Sequence, residues 1–324
     1  MTAMLRTAGE RLSIESEPSW VTELLSEGAG GELGAGNGVE PSVRVVVESD
    51  RRGFDTDGWE VLTRGAWRRE GELVMTNACT AGFDLHVRWT SERTDFTFRW
   101  RPPARDRAAA RVLRSRFHLL ARALLIQYPA LWCAGRRLRV PLHASAFTAG
   151  FATPLLVAAS GVGRSTLLLE ECRSGARATG DNLAVGDGTT LWGLVEPLRG
   201  EGAGGRRMPH GRTETPMPDR ASALMPDRVV VLQRGSGDGP RLGPCRPEVA
   251  ARSLVTATYM AGELRRYWSF AATLSAGSGA GPAHPPVADV ASRFVSGLPC
   301  HVLALGRRPG ERLSALLDTL EIAA

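Results

Sequence analysis

The sequence predicts an α+β N-terminal region built on an antiparallel sheet, followed by an α/β C-terminal domain. Three observations predict it. Between residues 42 and 100, short apolar runs of strand length follow one another with turn residues between them. From residue 138 onward, apolar runs alternate with segments of helical period. The chain has 324 residues, 43% of them hydrophobic and 23% charged, which suits two ordinary cores and not a disordered polymer.

Residues 1–40 read as a flexible leader, with Gly28–Gly38 (GAGGELGAGNG) as a linker, because no strand precedes it and no amphipathic helix follows. Residues 41–137 read as a domain of sheet plus helix. Its strands are Ser42–Ser49, Trp59–Leu62, Glu72–Thr76, Phe83–Trp89 and Asp95–Trp100. Phe83, Leu85, Val87 and Trp89 share one strand face, as do Phe96, Phe98 and Trp100, and Thr90–Thr94 is a short polar link, so these two form a hairpin whose aromatics are core. Pro102 and Pro103 end the sheet. Leu113, Phe117, Leu120 and Leu124 give a helix over Arg105–Tyr128, with Pro129 as its stop.

Residues 138–324 form the second domain. Strands are expected at Leu138–Phe147, Pro154–Ala158, Ala176–Val185, Leu191–Val195, Arg228–Gln233 and Cys300–Leu305. Helices are expected at Arg164–Arg173, Pro247–Leu264, Val287–Val295 and Glu311–Leu320. Gly200–Asp227, rich in Gly, Pro and polar residues, reads as a long mobile loop. No internal repeat is visible.

The formal net charge is +6 and the pI about 9.6. All 40 basic residues are arginine, a bias read as mutational. Their clusters are short (Arg136, Arg137 and Arg139; Arg206 and Arg207; Arg265 and Arg266), with no aromatic-laced basic run, helix-turn-helix or zinc pattern, so no specific nucleic-acid partner is expected. The five cysteines, Cys79, Cys133, Cys172, Cys245 and Cys300, are odd in number and form no CxxC pair, which points to a reducing, cytoplasmic compartment. No secretory signal pattern is seen at the N-terminus. The most apolar window, Phe117–Gly135, carries His118, Arg122, Gln127 and Pro129, so it reads as a buried helix and no membrane association is expected.

One stretch carries chemistry. Pro154–Glu170 reads PLLVAASGVGRSTLLLE: an apolar strand, a small-residue loop and a helix. Glycines let backbone N–H groups curl around a phosphate, and the helix N-terminus adds partial positive charge. The phosphate-loop pattern is GxxxxGK[ST]. Here Ala158 takes the place of its first glycine and Arg164 that of its lysine, while Gly161, Gly163, Ser165 and Thr166 fit. Arginine keeps the charge but binds phosphate as a fork and not as a point. Ser165 is the candidate hydroxyl for Mg²⁺.

The flanks extend the pattern. His143 stands twenty-one residues before Arg164 in LHASAF, Asp181 seventeen after it in ATGDNLAV, and Gly175 follows the loop helix. Over roughly Leu138–Val185 this order resembles the HPr kinase family. The resemblance implies an HPr kinase/PEP carboxykinase-like fold, with Ser160, Gly161, Val162, Gly163, Arg164, Ser165 and Thr166 holding the triphosphate of ATP and Arg164 on its β- and γ-phosphates. It implies Asp181 as the base near the accepting hydroxyl, His143 beside it, and Ser165 and Asn182 at the Mg²⁺ position. Asn182 replaces the second acid of the family's pair, and Glu196 and Glu214 are the candidates for its later acidic metal residue. A homo-oligomer is also in keeping with the family.

Two function classes follow. The first is an ATP-dependent kinase transferring the γ-phosphate to a Ser or Thr hydroxyl of a peptide or small protein, or to a small molecule, with the N-terminal sheet helping to recognise the acceptor. Peptide-tailoring relatives in the family make a peptide-modification role an analogy. The second is a nucleotide-binding or partner-binding pseudokinase, to which Ala158, Arg164 and Asn182 all point. Asp181 favours the enzyme. Arg206, Arg207 and His210 read as solvated loop charge.

Overall fold

The computed structural model describes residues 2–35, 40–148, 150–200, 206–208, 211–217, 219–307 and 312–322. The chain forms two compact units. The first comprises Met1–Arg137, Arg206–Gly211 and Arg265–His284; the second comprises Leu138–Gly205, Arg212–Leu264 and Pro285–Ala324.

In the first unit, strands β1 (Thr2–Thr7), β2 (Glu10–Ser16), β3 (Val43–Glu48), β4 (Glu60–Thr63), β5 (Ala66–Arg69), β6 (Glu72–Met75), β7 (Phe83–Trp89) and β8 (Thr94–Trp100) make one sheet in the order β1-β2-β3-β8-β7-β6-β5-β4. The hairpin legible in the sequence is there: Phe83 faces Trp100, Leu85 faces Phe98 and Val87 faces Phe96. The sheet is mixed, however, because β3 pairs in parallel with both β2 and β8. Helix α1 (Ser19–Gly28) buries Val21, Leu24 and Leu25, and Trp20 packs against Phe83, Trp100 and Phe117 with ring centroids 5.0–6.3 Å apart.

This corrects the expectation of a leader. Residues 2–28 are two strands and a helix, and Leu12 and Ile14 are as buried as Val43 and Val45. Their alternation supplies a face that the sheet edge at β3 needs. The helix expected over Arg105–Tyr128 is also broken. It runs as α2 (Ala104–Val112), stops where Leu113 leaves helical geometry (φ −102°, ψ 51°), and resumes as α3 (Arg114–Arg122). A π-turn at Ala123–Gln127 then leads into α4 (Tyr128–Arg136). Pro129 therefore does not end the helix: it sits at the start of α4, directly after the π-turn, where the hydrogen-bond ladder has already shifted. All of Tyr128–Gly135 is buried, and among the described residues no helix is long and apolar enough to cross a membrane. Two later elements, labelled by their place in the chain, belong to this unit: the short strand Arg206–Arg207 (β15) and helix α7 (Arg265–Ser278), which the sequence reading missed.

The second unit holds a five-stranded sheet and a four-stranded sheet. Its strands are β9 (Val140–Leu142), β10 (Ala144–Ala146), β11 (Pro154–Val157), β12 (Ala184–Gly186), β13 (Leu191–Gly193), β14 (Leu198–Gly200), β16 (Thr213–Thr215), β17 (Ala223–Leu224), β18 (Arg228–Arg234), β19 (Arg241–Pro244) and β20 (Cys300–Leu305). The larger sheet runs β10-β11-β18-β20-β19, with β11, β18 and β20 parallel; the smaller runs β17-β13-β12-β9. Helices α6 (Pro247–Met260) and α8 (Val287–Ser296) cover one face of the larger sheet over Leu155, Val157, Val229 and Val231. Helices α5 (Arg164–Arg173) and α9 (Leu313–Ile322) cover the other over Leu156, Val230, Leu232 and Leu303. The strict alternation along β11 and β18 is what sorts the two faces.

Two differences from expectation position the site. The run Leu138–Phe147 is not one strand: β9 pairs with β12 in the smaller sheet, β10 pairs with β11 in the larger, and His143 stands where the chain changes sheets. The run Ala176–Val185 is a strand only from Ala184. Before it, Ala178 and Thr179 lie along β10, and Gly193 packs so close that a Cβ there would fall 1.7 Å from the Thr179 carbonyl. The expected loop Gly200–Asp227 contains β16 and β17, and β14 and β19 are further strands the sequence reading did not find.

Because Ile14 is fully buried in β2, Ile14→Ala should cost about 2–4 kcal/mol. Urea unfolding monitored by tryptophan fluorescence measures this. A flexible leader would show no change.

Candidate functional site

Strand β11 ends at Val157 and the chain turns through Ala158–Gly163 into α5. Gly161 (φ 82°) and Gly163 (φ 128°) take the left-handed half of backbone space that the loop requires, and at Gly163 a Cβ would lie 3.0 Å from Leu305. The first bond of the helix runs from the Leu167 N–H to the Gly163 carbonyl, 3.0 Å. Ala159, Ser160 and Gly161 are exposed, Val162 and Gly163 are partly so, and Thr166 is exposed on the first turn. The start of α5 therefore stands behind an exposed loop tip at the carboxyl end of a parallel strand, where open α/β sheets bind ligands.

Arg164 does not join that opening. It is 5% exposed, and its guanidinium is committed to the interior. Nη1 donates to the His143 carbonyl (2.7 Å), and Nη2 lies 2.8 Å from His143 Nε2 and 3.3 Å from both the carbonyl and Oδ1 of Asn182. Burial pushes its pKa down from the usual arginine range, while Asp181 and Glu196 pull it back. The phosphate contact expected of Arg164 is thus replaced by contacts to the sheet-switch residue and to the turn after β10's neighbour.

His143 is held by its backbone N–H on Thr258 Oγ1 of α6 (3.1 Å). Burial, then the Arg164 charge, push its pKa down to about 3. The imidazole is neutral at pH 7, with Nε2 accepting from Arg164 and the proton on Nδ1. It lies near Asp181 through the shared network but makes no direct bond to it.

Asp181 is fully buried. Its carbonyl accepts from Ser145 Oγ (2.6 Å). Its Oδ2 accepts from Asn182 Nδ2 (3.1 Å) and from the Arg199 N–H (3.2 Å), and Oδ1 has no hydrogen-bond partner. Asn182 spends both ends of its amide, on Arg164 and Asp181. Glu196 holds the turn from the other side: one oxygen accepts from the backbone N–H groups of Asn182 and of Leu183 (2.7 Å). Burial pushes its pKa up to about 7 against the pull of Arg199. Arg199 on β14 lies opposite Glu214 on β16 and donates to Glu263 (2.6 Å). Burial depresses Arg199, but Glu196 and Glu263 outweigh it and raise its pKa; burial raises Glu263, but Arg199 outweighs it and lowers it.

The nucleotide-side residues and the acid-side residues are therefore brought together by α5, but through Arg164 and not through an open cavity. An open cleft of about 480 Å³ lies on another side of the loop, lined by Val162, Gly163 and Thr166 and by Arg234, Arg307 and Arg312. The residues fit a phosphate chain at the loop. They fit Mg²⁺ less well: Ser165 stands at the expected loop position, but Asn182 Oδ1 already accepts from a cation, and among the described residues no three His, Cys, Asp or Glu side chains converge as ligands. Glu196 and Glu214, candidates for the later metal residue, are engaged with the turn backbone and with Arg199. Arg199, Glu263 and Thr258 were missed, since only pairing across β14–β16 and the end of α6 bring them in. His210 lies outside the described residues, as do the side chains of Arg206 and Arg207.

A carboxyl whose pKa rises on folding binds its proton more tightly in the native state. It favours folding below its ordinary range, near 4.5, and loses that contribution as pH rises through about 7. Glu196→Gln keeps the acceptor oxygen and removes the titration. The mutant should gain on the wild type by about 1–3 kcal/mol between pH 4.5 and 8. Urea unfolding at both pH values reads the difference, and a gap independent of pH would contradict it.

No family model matches the chain, and no curated protein matches it. Among solved structures it is similar to the Hpr(Ser) kinase/phosphatase from Coxiella burnetii, at 11% identity over 56% of this chain and 88% of that one, with a TM-score of 0.28. The likeness is a distant one.

Proposed function

We propose that the second unit binds the phosphate chain of a nucleoside triphosphate, ATP, at Ser160–Thr166. The observation that supports this reading is the loop itself. Two positive-φ glycines, an exposed tip and a helix N-terminus stand together at the carboxyl end of a parallel strand. Binding without turnover is the form the surroundings favour. Arg164 is enclosed by His143 and Asn182, and Asn182 brings no charge to a metal. Mg²⁺, where used, would neutralise phosphate charge, with Ser165 as the loop residue offering an oxygen.

A second reading is phosphoryl transfer to a Ser or Thr hydroxyl of a peptide or small protein, or to a small molecule. One observation favours it: Asp181 Oδ1 is buried without a partner, an acceptor that a substrate hydroxyl would reach once the 181–183 turn opens. In that reading Asp181 takes the proton while Ser145 and the Arg199 N–H hold its turn and carboxylate in place.

Titration calorimetry with ATP, with and without magnesium, tests the first reading. Binding by the wild type and its loss in Gly163→Val, where a branched side chain meets Leu305 and the backbone strain, is the expected outcome; no binding at millimolar ATP sinks it. The second reading predicts ADP release above background that Asp181→Asn abolishes while ATP affinity changes by less than about threefold. Release that survives in Asp181→Asn removes Asp181 from the role of base.

A further inference from the structure

In the phosphate-loop pattern a basic side chain joins the backbone N–H groups at the phosphates, and Arg164 does not take that place. The guanidinium is enclosed, and withdrawing it would leave His143 Nε2, the His143 carbonyl and Asn182 Oδ1 without their donor in a buried site. The charge must come from a neighbouring element.

Among the described residues, an arginine from a neighbouring strand reaches the loop. Arg234 is the last residue of β18, the strand parallel to β11, and its Nη2 donates to the Gly161 carbonyl at 2.8 Å. Gly161 is the positive-φ residue at the exposed tip. The side chain of Arg234 is exposed, and a guanidinium has five N–H donors, so one bond to a carbonyl leaves most of its donors available. Its backbone is fixed: the next residue, Gly235, donates to the Leu305 carbonyl (2.8 Å), and the Arg307 N–H donates to the Gly237 carbonyl (3.0 Å). The loop after β18 lies so close to β20 that a Cβ on Gly306 would fall 2.5 Å from the Asp238 carbonyl. Arg234 thus stands on a strand end beside the loop, and it lines the adjacent cleft with Arg307 and Arg312, as do Glu170 and Glu171.

We propose that Arg234, and not Arg164, supplies the positive charge on phosphates held by the loop, while Arg164 is a positioning residue that fixes His143 and the Asp181–Asn182 turn. The inference rests on the reading of the loop as a phosphate site. It places the cation at the phosphates on the end of β18 and not on the first residue of α5, where the motif puts it.

The experiment is calorimetry with two probes, ATP and inorganic tripolyphosphate, on the wild type, Arg234→Ala, Arg234→Lys and Arg252→Ala. Arg252 is an exposed arginine on α6 that serves as a control for net charge. Arg234→Ala should weaken both probes about tenfold or more, Arg234→Lys should recover most of the loss, and Arg252→Ala should leave both unchanged. Unchanged thermal melting of Arg234→Ala shows that the loss is not unfolding. Wild-type affinity in Arg234→Ala overturns the proposal while leaving the loop reading intact, and so does a loss confined to ATP, which would put Arg234 on the nucleoside. A wild type that binds neither probe overturns the loop reading itself and the proposal with it.

Discussion

The second unit is arranged around one buried cation. A guanidinium taken out of water needs acceptors and a balanced charge, and Arg164 meets the demand through its two terminal nitrogens, while its Nε is buried without a hydrogen-bond partner. Arg164 obtains its acceptors from two places that are remote in sequence, His143 and Asn182. This constraint gives the sheet switch a purpose. A chain that continued straight from β9 into β10 would keep its carbonyl at residue 143 in the ladder; changing sheets there frees it to accept from the arginine. It also requires a neutral imidazole, because a second cation 2.8 Å away would be repelled, and burial of His143 secures that state.

Around the cation stands a shell of paired charges. Asp181 and Glu196 favour the charged form of Arg164, and Glu196 and Glu263 do the same for Arg199. The shell joins α5, the turn after α6 and the β14–β16 pair. Ion pairs of this kind add little net stability over a well-packed apolar core, but breaking one partner is costly. Their effect is to fix one arrangement of the 181–183 turn, with the open helix N-terminus of α5 on its far side. An open anion site and a closed polar core thus share a single helix, and the residue that separates them is Arg164.

Much of this was legible before the structure. The alternation of Phe83–Trp89 against Thr94–Trp100 gave the hairpin its register, and the step from Pro154–Val157 through small residues to Arg164 gave the loop its helix. What escaped reading depended on distant partners. Residues 2–16 alternate clearly, yet β2 finds its partner β3 only across the glycine-rich stretch and in parallel, which no local signal marks. His143 read as a strand residue because the run on both sides is apolar; that the two halves join different sheets depends on β11 and β12. The motif marks Arg164 as the basic residue at the start of the helix, but where its guanidinium goes depends on a carbonyl and an imidazole twenty-one residues away. Arg199 and Glu263 carry no motif at all, and become neighbours only when β14 meets the end of α6.

The arginine in the loop also changes what can be done to this protein covalently. The lysine that usually occupies the position is a primary amine, nucleophilic when its proton is lost, and acyl phosphates or aldehydes attached to a nucleotide capture it. A guanidinium retains its proton at any ordinary pH and does not acylate under the same conditions. Since all 40 basic residues of this chain are arginine, no side-chain amine stands near the loop or anywhere else in the sequence. Amine-directed nucleotide labels and amine cross-linkers will therefore leave these side chains unmodified, and their silence would be no measure of an empty site.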